Sequence, residues 1–97
     1  MRITADQFKS SLSAAHPPSG QSPYLQALWY DGKGDWNKAH ELIQDLPDRK
    51  ASHIHAYLHR KEGDQFNAQY WYNKAAQSMP GYSLEREWEE LVTKFLD

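Results

Sequence analysis

An all-α domain of about six helices is the fold this sequence predicts, on three observations. Apolar residues recur at three- and four-residue spacing, as one face of a helix requires. Residues that cap helices stand at the head of these stretches, and glycine or proline breaks separate them. No segment alternates with the period of two that a half-buried strand would show.

Taken in order, Thr4 and Gln7 have the spacing of a capping box, with Phe8, Leu12 and Ala15 on one face behind it. HPPSGQSP, 16–23, breaks that helix. Ser22 and Pro23 then supply a cap and a first-turn proline ahead of Leu25, Leu28 and Trp29. Gly32 and Gly34 end this second helix, and Asp35 caps a third with the stripe Trp36, Ala39, Ile43 and Leu46. After Pro47, a helix over about 48–62 carries Ala51, Ile54, Tyr57 and Leu58. Gly63 ends it. Asp64 caps the fifth, with Ala68, Trp71, Tyr72, Ala75 and Met79 in its stripe. Pro80-Gly81 breaks the chain again. Ser83 caps the last helix, with Leu84, Trp88, Leu91, Val92 and Phe95. Loops of two to four residues, apart from 16–23, favour antiparallel neighbours.

Ninety-seven residues suffice for one domain with one modest core, expected to span 1–97. A formal net charge of −2 lacks the basic excess of a duplex-binding protein, and nucleic acid is not an expected partner. With no cysteine, disulfides and thiolate metal sites are excluded. The N-terminus has no apolar run of signal-peptide length and no stretch has the length of a membrane span, so a soluble cytoplasmic protein is expected. Aromatic residues make up 13% of the chain, which suits a small core built from large side chains or, for some of them, a groove.

GDWNKA, from Gly34, and GDQFNA, from Gly63, repeat at an offset of 29 residues. Each follows a helix with alanine seven positions before the glycine, Ala27 and Ala56. Small residues on facing helices allow close axes, and the glycine frees the turn.

On these residues the chain resembles the tetratricopeptide repeat. Ala56, Gly63, Asp64, Ala68, Tyr72, Ala75 and Pro80 fall at the family's signature spacings, and Ala27, Tyr30, Gly34, Asp35 and Ala39 match in the first hairpin. Leu46 stands where the family prefers alanine, and the 29-residue offset is shorter than the family's period of about 34. The phrases ALWYDGKGDWNKAH and HAYLHRKEGDQFNAQYWYNKA are also similar to small microbial proteins with no assigned activity. The resemblance implies two antiparallel hairpins over 22–80, a helix and Pro-rich loop over 1–21 before them, and a capping helix over 81–97. It also implies a concave face, for which Tyr24, Leu28, Asp31, Lys50, His53, Tyr57, Arg60 and Lys61 are the candidates. Apolar ground with a basic edge would suit a peptide carrying a carboxylate.

HIHAYLHRKEGD, 53–64, holds the densest chemistry. His55 and His59 are four apart and share a helix face, with Glu62 three beyond. In the repeat register they point inward, toward Trp71 and Tyr72, as a buried polar pocket. Such a pair can form a hydrogen-bonded network, line a ligand pocket, or hold zinc with a third ligand, Glu62 being the alternative in the sequence. The first reading is preferred, because no third ligand stands out, and no cofactor is expected. HEXXH, a phosphate loop and GxSxG are all absent. His40 reads as boundary packing beside an apolar stripe. The expectation is a non-enzymatic module that binds a protein or peptide. A small His-centred metal-binding protein or enzyme and a homodimerising structural unit are the alternatives.

Overall fold

A computed structural model describes residues 3–96. They form six helices: α1 Ala5–Ser10, α2 Pro23–Gly32, α3 Trp36–Ile43, α4 Arg49–Lys61, α5 Gln65–Lys74 and α6 Leu84–Phe95. No strand occurs among the described residues, so the all-α reading with about six helices holds.

Side-chain caps start most of these helices. Thr4 Oγ1 accepts from the Gln7 backbone N–H while Gln7 Oε1 accepts from Thr4 N–H, the reciprocal pair of a capping box. Ser22, Asp35, Asp64 and Ser83 each accept from the backbone N–H three residues on. Asp48 does not cap in this way; its carboxylate accepts from Tyr24 Oη at 2.6 Å instead. The first helix is shorter than its stripe suggests. It gives way to a 3-10 turn at Ser11–Ser13, where Ser11 and Ser13 hydroxyls donate to the carbonyls of Phe8 and Ser10. Serines that bond the preceding turn compete with the helical ladder, so Phe8 is buried but Ala15 is left exposed.

The α2–α3 and α4–α5 pairs are hairpins with the same turn. Gly34 and Gly63 sit at φ 88° and 89°, a region where a side chain would be strained. The N–H of Asp35 reaches Tyr30 O at 2.9 Å, and that of Asp64 reaches His59 O at 2.9 Å, tying back each helix end. The two aspartates share an unusual backbone, φ −101°, ψ 74° and φ −93°, ψ 79°. Between the arms Ala27, Ala39, Ala56 and Ala68 have no exposed surface, as close axes require.

α4 is the central element, touching α2, α3, α5 and α6. After the second hairpin the chain turns back, and α6 packs against α1, α2 and α4. Trp88 fixes this packing. Its indole N–H donates to Leu28 O at 2.8 Å and its ring lies 6.0 Å from that of Phe8. Gly32 makes the approach possible: a Cβ there would lie 3.0 Å from the Leu12 methyls and 3.2 Å from Trp88. Leu91, Val92 and Phe95 complete the apolar face of α6 against the main core. Among the described residues no helix is long and apolar enough to cross a membrane.

Candidate functional site

The face formed by α2 and α4, expected as a concave groove, is covered by α6. Leu28, Asp31 and Tyr57 are buried beneath it. Asp31 accepts from Tyr57 Oη at 2.6 Å and from Lys61 Nζ at 2.8 Å. Arg60 donates to Glu87 of α6 at 2.9 Å and to the carbonyl of Tyr82. His53 lies 3.9 Å from the same Glu87 and 3.4 Å from Lys94 Nζ. Burial, with the Lys94 charge adding to it, holds His53 down to about 4. The edges stay open: Lys61 is exposed beside Asp31, and Lys50 is exposed and sits over the half-buried Tyr24 ring. The residues proposed from sequence are therefore brought together, with Glu87 as the carboxylate that answers their basic edge. Arg60, expected to meet a partner's carboxylate, pairs instead with one from the chain's own last helix.

A histidine cluster lies on the other side of α4, toward α3. His40 Nε2 and His55 Nε2 are 2.9 Å apart, a hydrogen bond in which one ring donates and the other accepts. His59 stacks on His55 with ring centroids 4.8 Å apart, and its Nδ1 meets Glu62 Oε2 at 2.6 Å. Two tryptophans hold the rings. Trp36 stacks on His40 at 4.9 Å and Trp71 on His55 at 3.9 Å. Trp36 is itself anchored, its indole N–H donating to Leu58 O at 2.8 Å. Burial lowers the pKa of both His40 and His55, and neighbouring imidazoles add to it; His55 falls to about 4. Both rings are neutral near pH 7 and carry lone pairs. Ring nitrogens of His40, His55 and His59 lie within 4.8 Å of one another, as do ligand atoms of His59, Glu62 and Asp64.

Of the residues expected to form one pocket, His55, His59 and Trp71 lie together. Tyr72 does not join them: its ring lies 6.0 Å from that of His53, and its hydroxyl donates to Glu87 at 2.6 Å. Burial and that bond raise its pKa. His40 was missed as a partner. It follows Trp36 by one turn, which would put both on one side of α3, but no spacing rule links residue 40 to 55. Only the packing of α3 against α4 does.

A third feature is the outer side of α5. Phe66 is 86% exposed and Tyr70, one turn on, 52%; among the described residues they are the large apolar side chains left in water. Lys74 is the only charged residue from Gln65 to Leu84, in a chain that is 25% charged. No protein-family model, curated protein or solved structure matches this chain.

Proposed function

We propose that this protein is a non-enzymatic, tetratricopeptide-like interaction module that acts in the cytoplasm and docks a protein partner on the outer face of α5. The observation that carries the reading is the pairing of exposed Phe66 and Tyr70 on a stretch with one charge. Interface cores are enriched in aromatic residues and depleted of charge, whereas solvated helix faces are not. A partner helix with an apolar stripe suits two aromatics one turn apart. The duplicated Gly-Asp turns support the helical-repeat part of the reading, and a mean hydropathy of −0.92 with a charged remainder supports an aqueous setting.

A photo-crosslinking side chain at position 66 tests this, with one at position 45 as the comparison. A discrete adduct from position 66, absent from 45 and lost in Tyr70→Glu, is the expected result. Adducts that are the same from both positions, or none at 66, would remove the reading. Sedimentation of the same protein tells whether the partner is a second copy of the chain.

A further inference from the structure

We propose that His40, His55 and His59 form a binding site for one late first-row divalent metal ion, zinc in the first place, that clasps the first hairpin to the second. His40 belongs to α3, and the other two stand one turn apart on α4. This inference is independent of the α5 face.

The His40 and His55 Nε2 atoms at 2.9 Å share one proton, and a metal ion can take its place once the donor ring shifts that proton to its own Nδ1, which frees both Nε2 lone pairs. Tetrahedral zinc with bonds of 2.0–2.1 Å sets its nitrogen ligands about 3.4 Å apart. The observed pair needs to open by only a few tenths of an ångström. The remaining ring nitrogens, all within 4.8 Å, need to close by little more than an ångström. Small torsional adjustments, with the rings sliding within their stacks, accommodate shifts of this size.

The surroundings are those of a ligand set. Glu62 accepts from His59 Nδ1, which leaves Nε2 as the ligand atom, the arrangement in which a carboxylate behind a histidine fixes tautomer and aim. Trp36 and Trp71 stack on His40 and His55 and restrict ring rotation. Nitrogen ligands without thiolate or a carboxylate cage suit zinc, copper(II), nickel or cobalt, and not magnesium or calcium. Three protein ligands leave a fourth position to water. The overlapping set of His59, Glu62 and Asp64 is a poorer choice. Glu62 is engaged by His59, and both Asp64 oxygens accept from Asn67 as the cap of α5.

Calorimetric titration of zinc into the chelator-stripped full chain tests the site, with His40→Ala, Glu62→Gln and His16→Ala beside the wild type. One equivalent is expected at submicromolar Kd, unchanged in His16→Ala. Glu62→Gln should weaken binding roughly 10- to 100-fold, and His40→Ala by more than that. Zinc should raise the Tm of the wild type and not that of His40→Ala. Absence of saturable binding, or equal binding in His40→Ala, overturns the proposal. Should His40→Ala fail to fold, cobalt(II) bound to the wild type decides. Intense tetrahedral visible bands support the site, and a weak six-coordinate spectrum overturns it.

Discussion

Tyr72 Oη of α5 donates to Glu87 Oε2 of α6 at 2.6 Å, and Glu87 is 2% exposed. Its other oxygen accepts from Arg60 of α4 at 2.9 Å, so one buried carboxylate joins three helices. Removing it leaves a guanidinium without its partner in a largely buried setting. Glu87→Ala is expected to cost about 3–5 kcal/mol, and Tyr72→Phe, which takes away one hydrogen bond, about 1 kcal/mol. Urea denaturation of the two variants checks the ordering. Equal costs would mean that the phenol, and not the ion pair, dominates.

The duplicated turns make a paired prediction. At Gly34 and Gly63 an added Cβ would meet nothing within 4 Å, so the cost of alanine is backbone strain alone. Each Gly→Ala variant should lose about 1–2 kcal/mol, and the two losses should match within error. Gly32→Ala differs in kind. There the new methyl crowds Leu12 and Trp88, and the loss reports how far the 3-10 turn at Ser11–Ser13 and α6 can move away. Melting curves of the three variants compare strain with crowding.

Acid should weaken the metal-free fold. His53 and His55 are held down to about 4 in the folded chain and return to about 6.5 when unfolded. Between those values the unfolded chain binds more protons, so stability is full above pH 6.5 and falls as pH drops toward 4. The slope should be on the order of 1 kcal/mol per pH unit for each histidine. His53 faces Glu87, Tyr72 and Lys94, while His55 faces His40, His59 and Trp71. Urea midpoints at several pH values in chelator measure the slope, and His53→Gln should make it shallower.

Alkali acts through the phenols. Burial, with Asp31 beside Tyr57 and Glu87 beside Tyr72, raises both pKa values far above 10. The raised groups stabilise the fold below pH 10, and that contribution is lost as pH climbs beyond it, because only the unfolded chain releases the protons. Before the unfolding step, Tyr57→Phe and Tyr72→Phe should leave the phenolate absorbance of the folded protein unchanged. A drop in that absorbance would mean that the buried hydroxyls titrate in place.

The α5 face should carry little of the stability. Phe66→Glu is expected to shift unfolding by no more than about 0.5 kcal/mol, since 86% of the residue is already in water. A loss of several kcal/mol would show that Phe66 packs in solution. Thermal melts of Phe66→Glu and Tyr70→Glu separate a binding role from a packing role.

Helix count and the caps at Thr4, Ser22, Asp35, Asp64 and Ser83 follow from the sequence by itself. Capping and 3.6-residue periodicity are local, set by residues within a turn of one another. The pairing of His55 with His59 is legible for the same reason. Tertiary structure decided what those helices face. Nothing in residues 84–95 announces that α6 lies on α2 and α4, or that Glu87 answers Arg60 across 27 positions. Nor does any interval tie His40 to His55. Such contacts depend on which apolar stripes bury one another, and several stripes of similar width compete for each face. The sum of those packings, beyond the reach of a turn's length of sequence, closed the expected groove and assembled the histidines.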